Sequence, residues 1–84
     1  MNLKKQFSYL VYHHRTNLGM TQEYVAEMVG ISTRSVQYIE KGQWVPARET
    51  MLKLMIVLQI DPCELAEEVG IDVSLLRDRR TTHV

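Results

Sequence analysis

The feature that most constrains the fold is the segment 21–42, TQEYVAEMVGISTRSVQYIEKG, in which two short helical patterns lie on either side of a tight turn. Thr21 and Ser32 are residue types that cap helix N-termini, because their hydroxyls accept hydrogen bonds from otherwise unpaired backbone N–H groups. Gly30 stands where the first pattern ends, and glycine enters the left-handed conformation there without steric cost. The spacing therefore predicts two helices joined by only a few residues.

The second of these predicted helices has two chemically different faces. One side carries Val36, Ile39 and Glu40. The opposite side has amide, guanidinium, hydroxyl and ammonium groups and no acidic residue; it consists of Thr33, Arg34, Gln37, Tyr38 and Lys41. Such donors suit the base edges and phosphates of a nucleic acid. The segment is therefore typical of a helix-turn-helix.

A longer amphipathic helix precedes this segment and ends near Gly19. Its apolar stripe contains Leu3, Phe7, Leu10, Val11, His14 and Leu18, and the side chains expected to face outward are Lys4, Lys5, Gln6, Ser8 and His13. Arg15 lies at the edge of the stripe, where a partly buried guanidinium needs a carboxylate. Glu40, on the inner side of the third helix, is the best-placed candidate. We therefore predict an Arg15–Glu40 ion pair, and we expect His14 to be a satisfied core or boundary histidine and not a metal ligand.

A linker, GQWVPA at residues 42–47, leads to a fourth predicted helix. Trp44 in this linker has two interpretations: it covers the small core, or it lies against a sugar-phosphate chain. The fourth helix has an apolar face of Met51, Leu52, Leu54, Met55 and Leu58. Ile56 and Val57 make this helix apolar almost all round, and an excess of apolar surface on a small domain indicates an interface.

The fifth predicted helix starts with clear signals. Asp61 is its N-cap, Pro62 its first residue, and Glu64 stands at the capping-box position. Leu65 and Val69 are expected to point inward, Gly70 to end the helix, and residues 71–76 to form one more short turn. We therefore predict that the chain has two parts. Residues 1–70 form a helix-turn-helix domain of the DNA-binding type, with its core at 21–42. Residues 71–84 form a partly frayed extension.

Length and composition are those of one small domain of 84 residues. A domain of this size buries only about 60% of the surface of its unfolded chain, so its stability is marginal without a partner. The single Cys63 excludes an intramolecular disulfide and fits a reducing compartment. Because there is no apolar run of about 18 residues and no signal-peptide core, we expect a soluble cytoplasmic protein that does not contact a membrane.

The formal net charge is zero, but the charges are unevenly distributed. Residues 1–48 contain six lysines and arginines against three acidic residues, whereas residues 49–84 contain four against seven. This polarity would orient the chain on a polyanion. The attraction is modest, so specific contacts must carry much of the affinity.

The span from about residue 15 to residue 65 resembles the lambda-repressor-like helix-turn-helix family, the Cro/XRE type. The residues that carry the resemblance are Gly19-Met20-Thr21-Gln22, Ala26, Gly30-Ile31-Ser32, Ile39-Glu40-Lys41-Gly42 and Pro46, with the spacing from Glu49-Thr50 through Leu58 to Glu64-Leu65. The resemblance implies an all-α domain of about five helices that binds double-stranded DNA sequence-specifically, usually as a homodimer on an inverted repeat. The chain departs from the family at Ala47, where a Ser cap is frequent, at Gln59, where a stopping Gly is frequent, and at Ile56, where a polar residue is usual.

The resemblance also implies which residues contact DNA. They are Gln22, Thr33, Arg34, Ser35, Gln37, Tyr38, Lys41, Gln43 and Trp44. Gln22 would touch a phosphate and brace the recognition helix, and Arg15 and Glu40 match the family's internal ion pair. By their chemistry, Arg34 fits guanine O6 and N7, or a phosphate, and Gln37 fits adenine N6 and N7.

The sequence favours a transcriptional regulator, most simply a homodimeric repressor that uses no cofactor, metal ion or catalysis. A phage or mobile-element control protein and an autoregulating antitoxin fit equally well. We predict that the fourth and fifth helices, with the turn at 73–76, form the dimer surface; the alternative is a monomer that dimerises only on DNA.

A second class of function is a protein-interaction module that binds a partner protein through the acidic C-terminal half and Ile56. An enzyme fits least, because the chain has no phosphate-binding glycine loop, metal-ligand cluster or nucleophile–base set; we interpret Cys63 as an incidental small residue.

Overall fold

The computed structural model describes residues 3–68, and five α-helices make up the regular structure of that part of the chain. They are α1 (Leu3–Asn17), α2 (Gln22–Val29), α3 (Thr33–Glu40), α4 (Arg48–Val57) and α5 (Pro62–Glu68). No strand occurs within these residues, so the predicted all-α class with five helices is confirmed. The expectations for Val69, Gly70 and residues 71–84 lie outside the described part.

The predicted start and end of α2 and the predicted start of α3 are confirmed. The hydroxyl of Thr21 accepts a hydrogen bond from the Tyr24 N–H at 3.0 Å, and that of Ser32 accepts one from the Ser35 N–H at 3.0 Å. Gly30 closes α2 with a φ of +84°, in the left-handed region where a residue with a Cβ is strained. The stop at Gly30 and the cap at Ser32 fix where α2 ends and α3 begins, so only a short turn separates the two helices.

Side chains from α1, α2, α3 and α4 form the core. Two residues between α4 and α5, Leu58 and Ile60, also belong to it. Its buried members are Phe7, Leu10, Val11, Val25, Ala26, Val29, Val36, Ile39, Leu54, Met55, Leu58 and Ile60. Met20, Ile31, Met51, Val57 and Leu65 pack against it from the edge. Burying this apolar surface is the main force that holds helices of 7 to 15 residues together, because helices this short are marginal alone.

The buried sector of α1 is wider than the sequence indicated. Gln6 and Ser8 were expected to face outward but are only 3% and 8% exposed, whereas Leu3 and Leu18 at the two ends are 45% and 39% exposed. The reason is that α1 contacts both α3 and α5, so more than one stripe of its circumference is covered. Ser8 donates a hydrogen bond to the backbone carbonyl of Glu40 at 2.6 Å.

The apolar face of α4 is narrower than predicted. Leu54, Met55 and Leu58 are buried, but Leu52 is 54% exposed, so its assignment to the inner face was wrong. Leu52 shares the outer side with Ile56 one turn later, and Ile56 is 76% exposed. An exposed apolar pair therefore remains on the surface of α4.

The junction of α4 and α5 also contacts α1. Asp61 and Glu64 form the predicted capping box, in which the Cys63 N–H donates to Asp61 Oδ1 at 2.9 Å and the Asp61 N–H donates to Glu64 Oε2 at 3.2 Å. His14 lies half-buried between two acceptors, with Nδ1 2.9 Å from the Leu58 carbonyl oxygen and Nε2 3.1 Å from Glu64 Oε2. Both ring nitrogens have partners, as expected of a satisfied boundary histidine.

Candidate nucleic-acid interface

The core determines which face of α3 reaches solvent. Val36 and Ile39 are 0% and 1% exposed, and they pin one side of the helix against α1 and α2. The opposite side is therefore turned outward. On it Arg34, Tyr38 and Lys41 are exposed, and Thr33, Ser35 and Gln37 are half-buried.

A nearly buried ion pair fixes α3 to α1. Arg15 Nε lies 2.5 Å from Glu40 Oε2, and Arg15 Nη2 lies 3.0 Å from Glu40 Oε1, a bidentate geometry. The two side chains are only 12% and 6% exposed, and Arg15 Nη1 donates a third hydrogen bond to the Met20 carbonyl at 2.9 Å. The pair expected from the sequence is thus present in the structure, and it joins α1, the turn before α2 and the last residue of α3.

The hydrogen bonds that Arg15 donates to Glu40 raise the pKa of Arg15 above that of a free guanidinium, and burial opposes this effect. A raised pKa means that the stabilisation by Arg15 is fully present below the unfolded-state pKa. It is lost only as the pH rises through the folded-state value. Arg15 therefore stays charged throughout the neutral pH range.

Two glutamines continue from this ion pair toward the outer face. Gln22 Nε2, at the first position of α2, donates to Glu40 Oε1 at 3.0 Å. Gln37 Nε2 donates to Gln22 Oε1 at 3.4 Å. Gln22 therefore connects the buried carboxylate to a side chain on the outward face of α3.

The first turn of α3 has its own local hydrogen bonds. The hydroxyls of Ser32 and Ser35 lie 2.8 Å apart, so the Ser35 hydroxyl is held near the cap. Arg34 is exposed beside it, at a helix N-terminus whose backbone N–H groups favour phosphate. This end of α3 is consequently suited to an anion.

The loop after α3 completes the surface. It leaves the helix through Gly42, with a φ of +73°, and the Gln43 N–H donates to the Tyr38 carbonyl at 2.9 Å. Gln43 and Trp44 are exposed, Trp44 by 40%, and with Ser35 and Tyr38 they line a shallow concavity of about 370 Å³. Trp44 lies outside the buried core cluster and lines the concavity, which favours the interpretation that it lies against a sugar-phosphate chain.

Six of the nine predicted site residues thus fall into two groups. Gln22 links Gln37 to Glu40, and Ser35, Tyr38, Gln43 and Trp44 line the concavity. Thr33, Arg34 and Lys41 stand at the two ends of the helix. The sequence did not reveal the contact between Gln22 and Gln37 or the hydrogen bond from Ser8 to Glu40, because both join different helices. The acid-free face of α3 was the signal that located the surface.

The described residues form neither a metal-ligand cluster nor a membrane-spanning helix. Between residues 3 and 68, no group of three or more His, Cys, Asp or Glu side chains is arranged to hold a metal ion. No helix in the same range is long and apolar enough to span a membrane.

Comparison with known proteins agrees with this geometry. The sequence profile of the family described as Helix-turn-helix matches residues 12–65, which is well over half of the chain. The chain is also similar to an uncharacterized HTH-type transcriptional regulator of Methanothermobacter thermautotrophicus, with 42% identity over 38 residues. The match covers 45% of this chain and 55% of that protein, so the chain spans little more than half of the relative's length. No solved structure gives a significant match.

Proposed function

Because the chain belongs to the Cro/XRE-type helix-turn-helix family, we propose that it is a DNA-binding transcription regulator that reads a specific base sequence in the major groove of double-stranded DNA. The single observation that carries this proposal is the outward face of α3, which presents donors of several kinds and is held rigid by the Arg15–Glu40 pair. A helix has the dimensions to enter the major groove, where each base pair presents a distinct pattern of donors and acceptors.

Within this proposal, base reading belongs to α3. Arg34 is exposed and has a rigid donor fork for guanine or phosphate, and Gln37 has a carboxamide for adenine. Thr33 and Ser35 have the short polar reach for single contacts to bases or phosphates. Tyr38 would pack on a thymine methyl group or a sugar.

Phosphate contacts come from the flanks of the same face. Gln22 keeps one N–H group beyond the one that it donates to Glu40, and this group is free for a phosphate. Lys41, Gln43 and Trp44 are exposed at the end of α3 and in the following loop, where they would follow the DNA backbone. These contacts fix the position of the protein and leave sequence reading to α3.

In this proposal the protein is a cytoplasmic homodimer that binds an inverted repeat. It represses transcription by binding DNA, without a catalytic step. Residues 1–70 form its binding unit. Leu52 and Ile56 supply an exposed apolar pair for a second copy, and the neighbouring Glu49–Lys53 pair at 3.4 Å offers both charges to a symmetric partner. The same apolar pair also fits the alternative function, an interaction module or antitoxin that binds a partner protein there.

Selection from a random duplex library tests the proposal. Purified full-length protein is mixed with duplexes at moderate salt, and the bound pool is sequenced. The expected result is an enriched inverted repeat with half-sites about one helical turn apart. Recovery of no enriched motif would contradict sequence-specific binding and would favour the interaction module.

A further inference from the structure

The outer side of α1 carries a row of exposed residues that the proposed function does not use. Most of the circumference of this helix is covered by the core, by α3 and by α5. The residues that stay exposed on one side at helical spacing, here called the α1 stripe, are Lys5, Tyr9, Tyr12, His13 and Thr16. Two of them carry large rings, with Tyr9 53% and Tyr12 47% exposed. None of the five is a predicted DNA contact.

The rings of the α1 stripe pack on one another and so hold a fixed surface. The ring centroids of Tyr9 and His13 lie 4.1 Å apart, and the rings of Tyr12 and His13 meet edge to face at 5.4 Å. Thr16 donates its hydroxyl proton to the Tyr12 carbonyl oxygen at 3.0 Å, so this hydroxyl is engaged within α1. A surface that is already ordered loses little side-chain entropy when a partner covers it.

The two ends of the α1 stripe carry opposite charges. Lys5 lies at the N-terminal end, and α1 contains no acidic residue. At the other end, the Arg15 guanidinium lies 5.6 Å from the centre of the Tyr12 ring. The pKa of Arg15 is raised first by its hydrogen bonds to Glu40 and also by the nearby charge of Glu23. Because Glu40 already neutralises Arg15, the exposed Glu23 makes this end of the stripe negative.

A surface with this order of groups is complementary to itself. When two copies lie antiparallel about a two-fold axis, the basic end of each stripe faces the acidic end of the other, and the aromatic middle parts meet. DNA fits the stripe less well, because Glu23 repels a polyanion at one end. The charge pattern therefore favours a second copy of this chain as the occupant.

The size of the α1 stripe limits the strength of such a contact. α1 has 15 residues and is therefore about 22 Å long, so a face about 10 Å wide offers on the order of 200 Å² per copy. Two such faces remain well below the roughly 1,200 Å² at which stable interfaces begin. The contact is thus weak, and it becomes significant at high protein concentration or when another interaction holds two copies close together.

We propose that the α1 stripe, together with Glu23, is a self-association surface that joins two copies of this chain in antiparallel orientation through Lys5–Glu23 pairs and contacts between tyrosine rings. This surface is separate from the Leu52 and Ile56 pair on α4, and it does not depend on DNA binding. A chain with two different two-fold contacts links dimers to one another. The α1 stripe therefore provides a means for dimers at separate DNA sites to associate.

NMR spectra of the full-length protein at increasing concentration test the proposal without DNA. All proteins carry Ile56→Glu, so that the exposed pair on α4 does not contribute. We expect the amide signals of the α1 stripe to shift as the concentration rises, and the shifts give the association constant. Lys5→Glu and Glu23→Lys should each lower this constant about 10-fold, because a two-fold contact then loses two attractive pairs and gains two repulsive ones.

Mixing the two single variants separates association from folding. Lys5→Glu is acidic at both ends of the stripe and Glu23→Lys is basic at both ends, so neither variant is complementary to itself. An equal mixture restores both opposite-charge pairs between unlike copies. We expect it to recover the association of the parent protein, a result that damage to the fold of either variant would prevent.

Lys4→Glu is the matched control for the position of the charge. Lys4 is exposed and makes the same charge reversal possible one residue away, but it lies about 100° around the helix from Lys5 and outside the α1 stripe. We expect it to change the association constant by less than about 2-fold.

The proposal would be overturned by signals of the α1 stripe that do not change with concentration. A mixture that associates no better than its two components, or equal effects of Lys4→Glu and Lys5→Glu, would overturn it as well. Signals of the stripe that respond to added duplex DNA and not to protein concentration would make nucleic acid the occupant and would also contradict self-association.

Discussion

At the scale of single residues, Glu40 joins the interior of the domain to its polar surface. Its carboxylate accepts hydrogen bonds from Arg15 and Gln22, and its backbone carbonyl accepts one from Ser8. The Glu40 side chain is 6% exposed, so these partners replace nearly all of the hydration of its carboxylate. Removing one member of such a buried pair leaves a charge without compensation, which costs far more than losing an exposed pair.

Glu40→Gln should therefore destabilise the protein strongly. The variant keeps the size of the side chain but leaves the Arg15 guanidinium without its counter-charge, and we expect a loss of about 3–5 kcal/mol in the free energy of unfolding. Urea unfolding measures it. Glu49→Gln is the matched control, because the Glu49–Lys53 pair is 83% and 52% exposed and one helical turn apart, and it should change stability by about 0.5 kcal/mol or less. Similar unfolding midpoints for the two variants would contradict the argument.

Arg34 and Lys41 lie on the same face and should nevertheless behave differently. We expect Arg34→Ala to cost about 1–3 kcal/mol at the selected site and to relax the base preference at one position. Lys41→Ala should weaken binding to all duplexes alike and lower the salt slope, because a phosphate contact releases counterions without reading sequence. Fluorescence anisotropy at several salt concentrations measures both quantities. Unchanged affinity and preference in Arg34→Ala would remove Arg34 from the reading face.

At the scale of helices, the two ends of α4 depart from the residue types that suit them. Ala47 occupies the N-cap without a side-chain hydrogen bond. Gln59 follows the helix with a φ of +57°, the left-handed conformation that glycine adopts without cost. The Ile60 N–H nevertheless donates to the Met55 carbonyl at 2.9 Å, because the burial of Leu58 and Ile60 holds the turn in place. Tertiary packing overrides the local preference at this end.

Gln59→Gly should stabilise the protein. Relief of the left-handed strain, about 1–2 kcal/mol, exceeds the added entropy of a glycine in the unfolded chain, so we expect a net gain of about 0.5–1 kcal/mol. Gly30→Ala is the reciprocal control, since its φ of +84° requires glycine although nothing lies within 4 Å of an added Cβ. It should lose about 1–2 kcal/mol. Thermal unfolding of both variants checks the opposite signs, and a loss of stability in Gln59→Gly would refute the assignment of strain.

At the scale of the whole molecule, the proposed DNA-binding face and the exposed apolar pair Leu52 and Ile56 belong to different helices. The donors of α3 and its loop occupy one region, and the exposed pair Leu52 and Ile56 belongs to α4, the helix that follows the loop. Along the sequence, basic residues are in excess in 1–48 and acidic residues in 49–84. A protein arranged in this way can bind a polyanion with one region while another contacts a second copy.

Ile56→Glu should separate folding from assembly. Because Ile56 is 76% exposed, the free energy of unfolding of the single chain should change by less than about 0.5 kcal/mol. Sedimentation velocity, with and without an inverted-repeat duplex, should show weaker association of two copies while affinity for a half-site is kept. Met28→Glu, an apolar-to-acidic change at a residue 54% exposed on α2, is the control for added charge. Unaltered assembly of Ile56→Glu would exclude this face as the dimer surface.

The sequence by itself determined the features that depend on neighbours within about four residues. The caps at Thr21, Ser32 and Asp61 and the stop at Gly30 follow from side-chain chemistry next to a helix end, so they were predictable one by one. The acid-free face of α3 was readable for the same reason, since helical spacing alone decides which residues share a side.

Only the tertiary structure decided how much of each helix is covered and which polar groups meet. The burial of Gln6 and Ser8, the exposure of Leu52 and the outward position of Trp44 depend on where other helices lie, and periodicity within one helix carries no such information. The Arg15–Glu40 pair was predictable because a buried charge demands a partner and few carboxylates were available. The Gln22–Gln37 contact was not, because a neutral amide satisfies its hydrogen bonds equally well with water, and only the packing of α2 on α3 brings the two side chains together.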